Sequence, residues 1–142
     1  MVSVPSMTRL VWLALAAGWM GFLYYLSSQS VIGIDAIDSG SDSSLALRKL
    51  AHFLAFGLLA LLSRWGLGQV GWRPSISVAA FAIPLVYAVG DEYHQSLVSG
   101  RYGAASDVSI DAAGAATAFL AWRFVEPLSS GLRFLGRTWS GR

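Results

Sequence analysis

Cysteine is absent from the 142-residue chain, so no disulfide, thiolate nucleophile or cysteine-based zinc site can form. Charge is scarce as well. Only 13% of the residues are Asp, Glu, Lys or Arg, against about 25% in an ordinary soluble domain. The two signs nearly cancel at +2, and the basic residues do not share one polar face, so nucleic acid is not expected as a partner. The chain has no Gly-x-Ser-x-Gly, no His-Glu-x-x-His and no phosphate-binding loop signature. No recognised catalytic motif remains, and neither a cofactor nor a metal is expected.

Apolar surface is abundant instead. Hydrophobic residues make up 55% of the chain, and the mean hydropathy is +0.56. A soluble fold of this length could not hide so much apolar area, so its natural solvent is lipid. The pattern predicts an all-α integral membrane protein, a bundle of four transmembrane helices over about 10–27, 46–66, 75–94 and 107–125. Each run approaches the roughly 20 residues that cross a hydrocarbon core about 30 Å thick. In lipid such runs must be helical, because each backbone polar group has to be paired within its own segment.

A cleaved signal peptide is the rival reading of the first run. Only four apolar residues separate Arg9 from Ala14-Leu15-Ala16, too few for an apolar region of about 7–15 residues, so a retained helix is expected. Pro84 is expected to kink the third span and Pro127 to end the fourth. Residues 1–127 read as one transmembrane domain. Residues 128–142 read as a basic tail, either amphipathic in the interface or disordered.

Charge sets the orientation. With four spans, one side carries Arg9, Arg64, Arg73, Arg123, Arg133, Arg137 and Arg142 against a single acid, Glu126. The other carries Arg48, Lys49 and Arg101 against seven acids, Asp35, Asp38, Asp42, Asp91, Glu92, Asp107 and Asp111. Basic residues gather on the cytoplasmic side, so both termini are expected there and the acidic loops outside.

The same topology brings the polar residues to one depth. Lys49 and His52, Asp91 to Gln95, Arg101, Asp107 and Asp111 all fall at the outer face. Charges at a bilayer edge mark function by default. Lys49 and His52 are three residues apart, Asp91 precedes His94 by three and Gln95 by four, and Asp107 precedes Asp111 by four, so each set shares a helix face. Gly114, Ala115 and Ala118 continue the Asp111 side, so Asp111 is expected to face the bundle interior. Blander roles stand beside these: Ser106 or Asp107 as a helix cap, an ion pair of Asp111 with Lys49 or Arg101, and Arg48 as a snorkelling residue.

Arg48-Lys49-Leu50-Ala51-His52-Phe53, Asp91-Glu92-Tyr93-His94-Gln95, Gly100-Arg101, Asp107-Val108 and Ile110-Asp111-Ala112-Ala113-Gly114 together resemble the VanZ-like family. Many relatives carry an acid and then a tyrosine starting three residues beyond the histidine, where Ala55-Phe56 stand here. The resemblance implies a multi-pass protein of the bacterial inner membrane. The family's name-giving member confers low-level resistance to teicoplanin, a lipid-tailed glycopeptide.

These readings converge on a polar site that binds or acts on a membrane lipid or a lipid-linked envelope intermediate. Lys49 and Arg101 would hold an anionic head group, with His52, Gln95 and Asp107 as further binding residues. The alternative is an intramembrane hydrolase or transferase, for which His94, Glu92, Asp91 and Asp111 are the catalytic candidates. A metal variant would use His52 and His94 with carboxylates. A transporter is disfavoured, because no chain of ionisable groups crosses the bilayer. The sequence leaves an oligomer open.

Overall fold

A computed structural model describes residues 6–29, 42–68, 74–98 and 105–139, the last segment as backbone only beyond residue 122. The described residues form four helices: α1 (Ser6–Ser27), α2 (Asp42–Gly66), α3 (Pro74–Leu97) and α4 (Ala105–Trp139). Among them no strand occurs. Three helices contain segments long and apolar enough to cross a membrane: Met7–Ser27, Leu45–Gly66 and Ser75–Leu97. Exposed Leu10, Val11, Leu47, Leu50, Val78 and Val89 coat their outer surfaces, as a lipid-facing wall requires.

Helix ends follow local chemistry. α1 closes where Ser28 turns back on Tyr24: its backbone N–H and its hydroxyl both reach that carbonyl, at 3.0 and 2.7 Å. α2 closes with Leu67 N–H on Ser63 and Gly68 N–H on Trp65, with Gly68 in the left-handed region at φ 72°. Pro74 opens α3, where its missing N–H has no helical acceptor to lose. Pro84 lies inside the same helix and is fully buried.

One sequence expectation fails at the C-terminal end. α4 runs through Pro127 to Trp139 rather than stopping there. Proline's fixed φ is itself helical, and its interior cost is a lost hydrogen bond and crowding one turn back, which a long helix can absorb. The sequence also predicts a Ser-, Gly- and Asp-rich loop over Ser27–Ser44, most of which lies outside the described residues.

α2 is the hub and packs against α1, α3 and α4. Paired residues give the directions. Trp12 meets Trp65 while Trp19 reaches Ala55, so α1 and α2 are antiparallel. Met20 meets Tyr87 and Tyr24 meets His94, so α1 and α3 are parallel. Arg48 meets Asp107 and His52 meets Asp111, so α2 and α4 are parallel. Ala16, Phe56, Leu59, Leu62 and Ala88 form the core between α1, α2 and α3.

Candidate functional site

Two glycines set the spacing of α2 and α4. A β-carbon on Gly57 would stand 3.2 Å from the Gly114 carbonyl oxygen, and one on Gly114 would fall inside the Phe53 carbonyl. Backbones this close need small residues at the crossing. Just outward of it, two turns of each helix face each other as rungs. His52 Nδ1 lies 3.0 Å from Asp111 Oδ1, and Asp111 is 1% exposed. One turn further out, an Arg48 guanidinium nitrogen lies 3.6 Å from Asp107 Oδ2. Both pairs repeat at four residues on each helix, which is why they stack.

The rungs correct the sequence reading in three places. Arg48, not Lys49, shares the inward face with His52, and Lys49 is exposed. Asp111 takes His52, rather than Lys49, as its partner. α4 begins at Ala105, so Asp107 sits within its first turn instead of capping it, where a negative charge suits the helix dipole. Arg101 lies outside the described residues.

α3 contributes a second polar group. Asp91, Glu92 and Gln95 are all buried. Gln95 donates its side-chain amide to Asp91 Oδ2 at 2.8 Å, while Asp91 Oδ1 has no partner. His94 turns the other way. Its Nε2 lies 3.0 Å from the Ser28 hydroxyl, and its ring packs on Tyr24 at 4.4 Å between centroids. The two histidines therefore serve different contacts. Among the described residues, no group of three or more His, Asp and Glu is arranged to hold a metal ion.

The shape around these groups is a crevice of about 380 Å³ between the C-terminal half of α1 and the N-terminal half of α2, backed by α3. Ser27, Arg48, His52, Asp91 and Gln95 stand at its polar end; Trp19, Phe22, Leu23, Leu54, Phe56 and Leu58 line the rest. Its origin is the path of α1. The N-terminal half of α1 is bound to α2 by Trp12 against Trp65 and Leu13 over Gly66. Further along, the Trp19 indole donates to the Ala55 carbonyl of α2 at 3.0 Å. The C-terminal half of α1 is also held to α3, by the Tyr87 hydroxyl on the Met20 carbonyl and by Ser28 and Tyr24 on His94. A second pocket, of about 510 Å³, lies between α1 and α3, with Tyr24, Tyr87 and His94 among its walls. Asp91 lines both.

Residues 8–126 match the family described as VanZ/LLP1. The chain belongs to that family. No curated protein matches it, and no solved structure does. In this VanZ/LLP1 protein the apolar Ala55-Phe56 pair noted in the sequence has a structural counterpart. Both residues line the crevice, and Phe56 stacks parallel to His52 at 6.4 Å and meets the Tyr87 ring at 6.1 Å. The wall below the polar end is therefore apolar.

Sequence reasoning missed two residues. Arg48 was read as an interfacial anchor, although its four-residue spacing to His52 matches that of Asp107 to Asp111. Arg64 was counted only among the basic residues that set the orientation. It is instead fully buried inside α2, with its guanidinium 5.2 Å from the Phe119 ring and 5.7 Å from that of Trp122. Stacking on aromatic faces is a favourable setting for a buried guanidinium.

Proposed function

We propose that the crevice is a lipid slot opening to the outer leaflet of the bacterial inner membrane. The protein is read as a four-span bundle over residues 1–127 with both termini cytoplasmic and residues 128–142 at the cytoplasmic interface. The alternating directions of the four helices support that topology, and the excess of arginines near the termini and in the loop between α2 and α3 supports the orientation.

The single observation that carries the reading is the match between crevice and leaflet. From Arg48 to Leu58 is ten residues of helix, about 15 Å at 1.5 Å per residue. Half of a hydrocarbon core of about 30 Å is the same length. A slot of one leaflet's depth, polar at the surface end and apolar below, has the form of a lipid with its chain inserted. Lipid held there alters what the cell surface presents to a lipid-tailed glycopeptide such as teicoplanin.

The decisive experiment compares lipid retained by the purified wild type and by Ala51→Trp. Ala51 lines the crevice and is exposed, so the larger ring fills the slot without entering the core. Loss of copurifying lipid is expected; equal retention sinks the reading. Orientation is tested separately. Single cysteines at Ser99 and Gly71 have no background thiol to compete. An impermeant maleimide added to intact cells should label only the first, and the reverse pattern inverts the protein.

One observation favours a second reading, a hydrolase or transferase on a lipid-linked substrate. The Ser28 hydroxyl lies 3.0 Å from His94 Nε2; its proton is engaged by the Tyr24 carbonyl at 2.7 Å and would have to turn to the imidazole for His94 to act as its base. An active-site-directed fluorophosphonate that labels wild type but neither Ser28→Ala nor His94→Gln would favour it over simple binding. Absence of labelling would remove its support.

A further inference from the structure

We infer that the crevice selects a zwitterionic phospholipid, one whose head carries both a phosphate and a primary ammonium. The phosphate would be held by Arg48 and the ammonium by Asp91. The inference rests on the lipid-slot reading and specifies its occupant.

Two groups of opposite charge at the polar end each keep a buried polar atom without a partner, so a ligand reaches them by a turn of the side chain. Asp91 is 6% exposed; one carboxylate oxygen accepts from Gln95 and the other has no partner. A buried acceptor without a donor is costly, and the cost is greatest for an ionised group. Arg48 is the complementary case. Its Nε has no partner, and its contact with Asp107 at 3.6 Å is too long for a hydrogen bond. Its side chain is 35% exposed, so it can turn toward the crevice mouth.

Simple head groups satisfy only one of these. A purely anionic head meets Arg48 but brings negative charge against Asp91. A purely cationic amphiphile suits Asp91 and is repelled by Arg48. A head with phosphate and ammonium on one short linker presents the right charge to each, and a primary ammonium adds N–H donors for a charge-assisted bond to the free carboxylate oxygen. The positive group that the sequence reading assigned to head-group capture, Lys49, is exposed rather than turned into the crevice.

The test uses the full chain in detergent and native mass spectrometry with three lipids of identical chains. They are phosphatidylethanolamine, its N-trimethylated analogue phosphatidylcholine, and phosphatidylglycerol. Wild type is expected to retain phosphatidylethanolamine about tenfold better than phosphatidylglycerol, the scale of one charge-assisted bond. Trimethylation removes every N–H and should lose most of that preference without any change to the protein, so the result does not depend on a variant folding. Asp91→Asn should abolish the preference between the lipids, whereas Arg48→Gln should weaken retention of all three. Equal retention of the three lipids by wild type, lost in Ala51→Trp, overturns the head-group inference and leaves the slot standing. Retention that Ala51→Trp does not change overturns both.

Discussion

α2 meets its neighbours in two different ways along one helix. Against α4 it is glycine-packed and bridged by Arg48–Asp107 and His52–Asp111, with backbones too close for a single added methyl at Gly114. Against the outer half of α1 it leaves a crevice of about 380 Å³. The glycines of α1 lie apart from both regions: Gly18 and Gly21 are exposed, line neither pocket, and an added β-carbon at either would meet nothing within 4 Å. One region is built for contact and the other for vacancy. The carboxylates do not follow the division: Asp111 pairs with His52 through Oδ1 and Asp91 accepts from Gln95 through Oδ2, and the second oxygen of each is buried without a partner.

The largest effect tests the packed region against a glycine that packs on nothing. Gly114→Leu forces the α2 and α4 backbones apart. Overpacking costs roughly 1–3 kcal/mol where a core can give, and here the obstacle is backbone, so most folded protein should be lost. Gly18→Leu should stay within about 0.5 kcal/mol of wild type, as surface changes do. The monodisperse fraction after detergent extraction reads both. Equal loss in the two variants would show that the close α2–α4 crossing is not what the bundle depends on.

The next largest effect separates pairing from packing. Asp111→Ala leaves His52 without its carboxylate, and breaking a buried charged pair costs about 3–5 kcal/mol. His52 still borders the crevice, so the lower end of that range is expected. Asp111→Asn keeps a hydrogen-bonding group of the same shape and should cost only about 1–2 kcal/mol. Thermal unfolding in one detergent gives both values. Equal losses for Ala and Asn would mean that charge, not hydrogen bonding, holds the rung.

Much of the α4 side is legible in the sequence, and little of the α1 side is. Asp107 and Asp111 at four-residue spacing, followed by Gly114, Ala115 and Ala118, announce a close inward face, and Asp111 is buried there. Its partner was harder to read. Spacings of three and four both share a helix face, so Lys49 and Arg48 each fit with His52, and only packing selects Arg48. The crevice has no sequence signal, because it depends on where α1 stands between α2 and α3. Trp19, Tyr87 and Ser28 form no motif in the sequence, yet Trp19 holds α1 to α2 and the other two hold it to α3. Arg64 illustrates a different limit. A charge at the end of an apolar run looks like loop, and its burial depends on Phe119 and Trp122 arriving from another helix.

The smallest expected effect bears most directly on the crevice. Tyr87→Phe removes one hydroxyl, which donates to the Met20 carbonyl and ties α1 to α3 across the bundle. Interhelical hydrogen bonds in membrane proteins average about 0.6 kcal/mol, so thermal unfolding should barely move. Position should move more than stability, because the other polar ties between these helices, Ser28 and Tyr24 on His94, lie one to two turns further out. Spin labels at Tyr25→Cys on α1 and Leu47→Cys on α2, both exposed, report the width of the crevice mouth. A broader distance distribution in Tyr87→Phe with unchanged unfolding would mean that the hydroxyl sets where α1 stands rather than how firmly the bundle holds. An unchanged distribution would assign the vacancy to α2 and α3 alone, and α1 would no longer define the slot.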